Sequence, residues 1–398
     1  MPLDFERLNK LDLLERIDNL SPLSSALLTD IIWKIESVDQ FIKDTPSFPG
    51  STDKIIRSEM TLAIGSTLAI EGVHLNPDEI EESFRKADAN ETLLRKEQEA
   101  QNSRKVYEFI IQTVNSYYEK GESFEFSEAL IRQLHNLFTQ NMNYIGNIPG
   151  EYRGEFGATF GYPRKEGICK NRAEVELAMS NFVKWLNQKQ DGYYSRHPLV
   201  KAIMAHYYLT EIHPYSDGNG RTARALEALI LYLHGINTYC FWSLANFWST
   251  NRDEYIAKLG EIRSTCEPLN FIDWGLRGYL EEVTRIKEKV LKKLKRIMLK
   301  DYTRFLLNNK RTQEIKINQR IVDVIHLLIV IGQPVALEAF ASTTQVKTLY
   351  RNLNISTWYR DLAKMNKSKL ITISLNEESK IAYIEPNFSK LDTIIYNV

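Results

Sequence analysis

The sequence predicts a mainly α-helical protein: a helical core carrying one small β-hairpin, followed by a small carboxy-terminal domain of three helices and a hairpin. Three observations carry this. Apolar residues recur at spacings of three and four up to about residue 310, the period of a half-buried helix. Strand-like stretches are confined to 149–163, where glycines and aromatics interleave, and to the pair 370–373 and 380–384. At 398 residues the chain is long enough for two or three domains, each with its own core.

Composition narrows the class. Lys and Arg number 51 and so do Asp and Glu, a balance that argues against wholesale attraction to nucleic acid or membrane while leaving local basic patches open. Cys169, Cys240 and Cys266 lack metal-like spacing and cannot all pair, as expected in a reducing cytoplasm. Residues 1–20 alternate charge with leucine and lack the apolar centre of a signal peptide. No apolar run approaches the roughly twenty residues of a membrane span. A cytoplasmic protein with no membrane partner is the expectation.

The first 50 residues read as one or two amphipathic helices closed by the loop at 46–50. Ser51-Thr52-Asp53 caps a helix over about 53–72 that ends in Thr67-Leu68-Ala69-Ile70-Glu71-Gly72. Gly72 suits the C-cap, but Glu71 has the wrong sign for a helix carboxy terminus. Residues 77–120 are charged helices without assigned chemistry. The run Ile131-Arg132-Gln133-Leu134-His135 is another helix face, with His135 a packed histidine. Helices follow over 171–186 and 198–212, the second more apolar and leading into His213. A further helix ends near His234-Gly235, a terminal cation before a glycine cap. Residues 271–310 form a long charged helix that connects domains. In the last stretch three helices precede a hairpin turning at 376–379, which resembles a winged helix. Arg360, Lys364, Lys367 and Lys369 gather on and after its third helix.

The stretch His213-Pro214-Tyr215-Ser216-Asp217-Gly218-Asn219-Gly220-Arg221-Thr222-Ala223-Arg224 concentrates chemistry. His213 is the side-chain type that titrates near neutrality and can take a proton from a hydroxyl. Asp217 is a hard oxygen ligand of the kind that holds Mg²⁺ against phosphates. Gly218, Asn219 and Gly220 form a small-residue turn before an apolar helical run, whose backbone N–H groups make an anion site. Arg221 and Arg224, three apart, share a helix face and can clamp phosphate oxygens. The reading is a nucleotide-phosphate transfer site.

This stretch resembles the His-Pro-Phe-x-Asp-Gly-Asn-Gly-Arg-x-x-Arg signature of the Fic family of nucleotidyl transferases. Tyr215 stands where the family usually has Phe and is expected to pack inward. Thr67 to Gly72 is similar to the Ser/Thr-x-x-x-Glu-Gly/Asn motif of self-regulating Fic proteins, whose glutamate pairs with the second signature arginine, here Arg224. An Arg-x-Leu-His run such as the one ending in His135 also recurs in Fic proteins. Pro149-Gly150-Glu151-Tyr152-Arg153 resembles the lead-in to the family's flap, the hairpin that holds a target segment as an added strand. The usual Val-x-Ile of that hairpin is replaced by Gly157-Ala158-Thr159-Phe160, so target specificity is not carried over. Residues 241–255 resemble the segment closing over the nucleobase, which nominates Asn251, Tyr255 and Tyr239 for adenine.

The resemblance implies a Fic core over about 116–290, an amino-terminal helical region over 1–115 holding the inhibitory helix, a helical linker over 291–311 and a winged-helix-like domain over 312–398. It implies transfer of AMP from ATP, with Mg²⁺, to a protein hydroxyl. His213 would be the base, Asp217 the metal ligand and Gly218, Asn219 and Gly220 the phosphate cradle, with the Asn219 side chain helping. Arg221 and Arg224 would bind the β- and γ-phosphates, and Thr67, Glu71 and Gly72 would be regulatory. Gly220 favours nucleotidyl transfer, since family kinases carry Lys there. The target is an unknown protein along 156–172, or the chain itself. The carboxy-terminal domain offers DNA or protein as a further partner, and a homodimer is compatible with the family. Two alternatives stand: a DNA-binding regulator that senses nucleotide, and an enzyme that uses Glu71 to remove AMP.

Overall fold

The computed structural model describes residues 2–45, 52–121, 123–142, 146–154, 159–160, 165–189, 192–236, 244–308 and 318–394. Two compact units divide after Lys287.

The first unit is helical nearly throughout. After α1 (Phe5–Lys10) and a 3₁₀ stretch (Leu13–Asn19) come α2 (Pro22–Asp44), α3 (Thr52–Ile70), α4 (Pro77–Asp88), α5 (Arg95–Lys120) and α6 (Glu128–Thr139). A two-residue ladder, β1 (Thr159–Phe160) against β2 (Lys165–Glu166), pairs Thr159 with Glu166 in antiparallel register. This lies within the stretch read as a flap; residues 155–158 and 161–164 around it lie outside the described residues. Then follow α7 (Arg172–Asn187), α8 (Pro198–Ile212), α9 (Asn219–Leu233), α10 (Leu244–Thr250), α11 (Arg252–Thr265) and α12 (Leu269–Asn308).

Local signals set these helices. Asn76 and Glu79 make a reciprocal capping box on α4, and the Asn171 side chain caps α7. Pro198 occupies the first turn of α8, where its missing N–H costs nothing. Burial decides the centre. Both α8 and α9 are enclosed along almost their whole length, so they pack on all sides rather than along one stripe. Helices α3, α5 and α6 pack on α9. The loop joining α8 to α9 therefore hangs from the two most enclosed elements of the unit, which makes it a rigid mount. Helix α3 is tied down by charge: the Arg285 Nη1 and Nη2 atoms donate to the enclosed Glu59 carboxylate at 2.9 and 2.6 Å.

The second unit holds the rest of α12, then α13 (Gln319–Ile331), β3 (Val335–Ala336), α14 (Leu337–Ala341), α15 (Thr344–Leu349), α16 (Ile355–Lys367), β4 (Ile371–Asn376), β5 (Ile381–Pro386) and α17 (Ser389–Ile394). Its antiparallel sheet has the order β3-β5-β4, with Ile384 facing Val335 on one side and Ile373 on the other. Leu299, Ile325, Phe340, Trp358, Met365 and Ile384 share its core, which places the end of α12 in this unit. Strand β3 and helix α14 add to the three helices and hairpin expected from the sequence. Buried Asp361 on α16 accepts from Arg320 at 2.9 Å and from the Tyr350 hydroxyl at 3.2 Å. Among the described residues no helix is long and apolar enough to cross a membrane.

Candidate active site

The α8–α9 loop brings together the residues of the motif. His213 caps α8 in the left-handed region at φ 50°, and its N–H bonds the Leu209 carbonyl at 3.1 Å. A non-glycine residue there costs about 1 kcal/mol or more, so the fold must hold it. Arg153 does so: its Nε donates to the His213 carbonyl at 2.8 Å, its N–H to Pro214 O at 2.8 Å and its Nη2 to Cys169 O at 2.6 Å. The His213 Nδ1 lies 3.3 Å from the Thr210 carbonyl, which can only accept. The proton therefore sits on Nδ1, and Nε2 carries the lone pair. Burial pushes its pKa down to about 4, with Arg153 adding to the effect, so the ring is neutral at physiological pH.

His135 on α6 supports the same loop from the other side. The Gly150 N–H donates to Nδ1 at 2.9 Å, so the proton lies on Nε2 and bonds the Asp217 carbonyl at 2.9 Å. Its ring stacks on Tyr215 at 3.6 Å with 2° between planes, and burial holds its pKa down to about 4. His135 is thus a packed helix histidine, as read, and in addition a brace for the motif. Tyr215 is fully buried, as expected.

The turn itself explains its glycines. Gly218 has φ +78°, and a Cβ there would meet Thr139 at 3.1 Å and the His135 ring at 3.3 Å. At Gly220 a Cβ would stand 2.6 Å from Glu71 Oε1 and 3.1 Å from Arg224 Nη1. Residues 219–221 form the first turn of α9, where backbone N–H groups lack intrahelical acceptors and attract anions. The Asn219 side chain, expected to help this cradle, closes the loop: its Oδ1 accepts from Tyr215 N–H at 2.9 Å and its Nδ2 donates to Tyr215 O at 2.8 Å.

Asp217 is 40% exposed at its side chain. Its described contacts, from the Gly218 N–H and from Arg221 at 3.2 Å, all fall on Oδ1. Among the described residues there is no cluster of three or more His, Cys, Asp or Glu fit to hold a metal alone. One carboxylate oxygen beside a phosphate-binding turn nonetheless fits Mg²⁺, which takes few protein ligands when phosphates supply the rest. Arg221 is enclosed between Asp217 and Glu99, the latter at 3.6 Å.

Arg224 is almost wholly buried and already engaged. Its Nε donates to Thr67 Oγ1 at 2.8 Å, and its Nη2 donates to Thr67 O at 3.2 Å and to Glu71 Oε1 at 2.7 Å. Helix α3 ends at Ile70, so Glu71 sits just past its last turn and Gly72 follows at φ +85°. Arg252 on α11 covers the exposed end of α3 by donating to Ile70 O at 2.9 Å. For Glu71, burial favours the neutral acid, but Arg224, Arg221 and His213 together outweigh it and hold the carboxyl below its usual range. The ionised carboxylate keeps about a third of its side-chain surface exposed, 32%.

The residues expected to meet adenine are placed differently. Tyr255 is 4% exposed, and its hydroxyl lies 2.8 Å from His206 Nε2, so it is a core residue and not an open stacking face. Asn251 donates from Nδ2 to Phe247 O at 3.0 Å and closes α10. Tyr239 and residues 241–243 lie outside the described residues. His234 is also corrected: burial lowers its pKa, and the neutral ring lies 2.8 Å from Ile230 O.

The fold and loop define a class: a helical scaffold that presents a neutral imidazole, a partly exposed carboxylate, a helix amino terminus and two buried arginines within the stretch 213–224. Comparison with known proteins says which such scaffold this is. Residues 125–231 match the model of the Fic/DOC family. Protein adenylyltransferase Fic of Aedes aegypti is 47% identical over 102 residues, and that of Culex quinquefasciatus 37% over 102 residues; each match covers 26% of this chain. The chain spans 20% of the length of these curated relatives. A Fic family protein from Desulfovibrio desulfuricans aligns over 92% of this chain and 96% of its own, at TM-score 0.55 and 17% identity. A variant of Fic-1 from C. elegans aligns over 67% and 73%, at TM-score 0.51 and 20% identity, and both likenesses show the fold. Residues 125–231 thus match the Fic/DOC family in sequence, and the chain shares the fold of Fic proteins.

Proposed function

We propose that this chain transfers AMP from ATP to a protein hydroxyl and is held in check by Glu71. The observation that carries the reading is the Glu71–Arg224 pair at 2.7 Å, beside the neutral His213 and the amino terminus of α9. His213 Nε2 takes the proton as the hydroxyl oxygen bonds to the α-phosphorus, and the bond to the bridging oxygen of the β-phosphate breaks to release pyrophosphate. The first turn of α9 and Arg221 stabilise the charge that builds on the leaving group. Mg²⁺, held by Asp217, would supply further neutralisation of the phosphates. Arg224 is the group meant for the γ-phosphate, and while Glu71 occupies it the triphosphate cannot seat productively. The target backbone would add to β1 and β2, and the family name of the relatives supports a protein acceptor.

Wild type, Glu71→Gly and Glu71→Gly/His213→Ala are incubated with α-labelled ATP and Mg²⁺, then examined by intact mass and on a lysate. Labelling by Glu71→Gly alone is expected. Equal labelling by the wild type overturns the brake, and labelling by the double variant overturns the base. If Glu71→Gly instead loses release of AMP from a pre-labelled target, Glu71 serves removal.

A second reading concerns the carboxy-terminal unit, proposed as a winged helix that meets DNA. Arg360 and Lys367 are exposed on α16, and Lys369 follows it, while the one acidic residue of that helix, Asp361, is buried against Arg320. A full-length chain that shifts duplex DNA with a steep loss of affinity in salt supports it; flat salt dependence counts against it.

A further inference from the structure

Among the described residues, the carboxy-terminal sheet is blunt on one edge and open on the other. Strand β3 is two residues long and turns at once into α14, so its edge offers little backbone to pair with. Strand β4 forms the opposite edge and runs as Ile-Thr-Ile-Ser-Leu-Asn over Ile371–Asn376. All of it but Ile371 is exposed. Proteins commonly guard such an edge with a charge, a proline or a bulge. Strand β4 has none of these: it holds no charged residue and no proline, and its register against β5 is unbroken. Ile373 is 36% exposed and Leu375 59%, on the same face as buried Ile371, so the apolar face of the hairpin runs on past the core.

The pairing with β5 fixes which backbone groups of β4 point outward. Pro386 opposes Ile371 and has no N–H, while the Asn387 N–H bonds Leu370 O at 3.0 Å. By the alternation of an antiparallel ladder, Leu370, Thr372, Ser374 and Asn376 spend their backbone groups on β5. Ile371, Ile373 and Leu375 turn theirs to the open edge. An antiparallel partner must meet those groups with outward groups of its own, and β4 of a second copy does so about a two-fold axis at Ile373. Ile373 then faces Ile373 of the second copy, and Ile371 faces Leu375. On the other face Thr372 meets Ser374, a favourable hydroxyl pair. Exposed Lys369 and Glu377 stand just beyond the two ends of the strand, and the same symmetry brings each lysine to the glutamate of the other copy. Shifting the register by two residues shortens the ladder and sets Lys369 or Glu377 opposite an apolar side chain.

We propose that β4 is a self-association edge: two copies of this chain join through antiparallel β4–β4 pairing centred on Ile373. The occupant is a second copy because the edge complements itself in backbone, side chain and charge at one register. The balance of 51 basic and 51 acidic residues leaves no net repulsion between copies. A ladder this short makes a weak and reversible interface, at the small end of specific contacts.

Sedimentation velocity on the full chain, from roughly 1 to 100 µM, reads the association. Wild type is expected to pass from monomer towards dimer across that range. Leu375→Lys changes a position that is exposed in the monomer and sets a charge against Ile371 of the other copy, so it is expected to weaken the dimer about tenfold. Lys369→Glu is expected to weaken it about fivefold, and adding Glu377→Lys to recover most of that loss. Circular dichroism and urea unfolding at the lowest concentration check that each variant is folded. A wild type that stays monomeric throughout overturns the proposal. So does a dimer that Leu375→Lys leaves intact, since it forms through another surface. A Lys369→Glu/Glu377→Lys protein that associates no better than Lys369→Glu overturns the register on which the pairing is argued. Should Leu375→Lys misfold, the charge exchange, made at two exposed positions, decides alone.

Discussion

Replacing His135 by Phe tests how much of the active loop depends on one side chain. The ring stack on Tyr215 at 3.6 Å survives the change, while the bonds from Gly150 N–H and to Asp217 O, both 2.9 Å, are lost. Each orphaned buried group costs about 1–3 kcal/mol, so the loss of stability at pH 7 is about 2–6 kcal/mol. Protonation gives a second signature. The folded-state pKa of His135 is about 4 against 6.5 for the ordinary ring. As pH falls, the unfolded chain protonates first and the folded chain resists, so this stabilisation is present above pH 6.5 and is lost between there and about 4. At roughly 1.4 kcal/mol per pKa unit, wild type gives up about 2 kcal/mol from this group by pH 5. The variant has no such group to titrate. Urea unfolding of both proteins at pH 7 and pH 5, followed by tryptophan fluorescence, should show the stability gap shrink by about 2 kcal/mol. A loss below about 0.5 kcal/mol at pH 7, or a gap that does not change with pH, refutes the reasoning.

The His213 base has its pKa near 4, so AMP transfer by the Glu71→Gly protein should stay level from pH 8 to 6 and fall as the pH drops through about 4; an inflection near 6.5 removes the neutral, enclosed imidazole from the argument. The Tyr215 hydroxyl is buried with no hydrogen-bond partner among the described residues, so Tyr215→Phe should match wild type or gain about 1 kcal/mol in urea unfolding, and a clear loss would reveal a partner for it. Arg285→Ala strips Glu59 of its two-pronged partner and should cost about 3–5 kcal/mol, and Arg285→Ala/Glu59→Leu should recover most of it. No recovery in the double variant would mean that packing, not charge, ties α3 to α12.

Features written in consecutive residues were legible in the sequence. The helices at 198–212 and 172–187 announce themselves by period and cap, and the motif 213–224 packs its donors, acceptors and glycines into one run. Contacts that join distant parts of the chain were not. His135 meets Asp217 across 82 positions and Arg153 meets His213 across 60, and no local pattern distinguishes them from other packed polar residues. Aromatic residues misled for the same reason: Tyr255 has one sequence whether it stacks on a ligand or bonds His206 in the core. What could have been found is the residue that breaks its local rule, since such breaks concentrate where function overrides packing. Glu71 breaks the dipole rule at the end of α3, and the resemblance to the family's inhibitory motif, not the oddity itself, named Arg224 as its partner. Glu227 breaks a stronger rule, a carboxylate between Leu226 and Ala228 in a helix buried all round. Glu71 touches Arg224, and Glu227 touches His206, whose other ring nitrogen meets the Tyr255 hydroxyl. In each case the residue that breaks its local rule marks a partner that only the fold brings near.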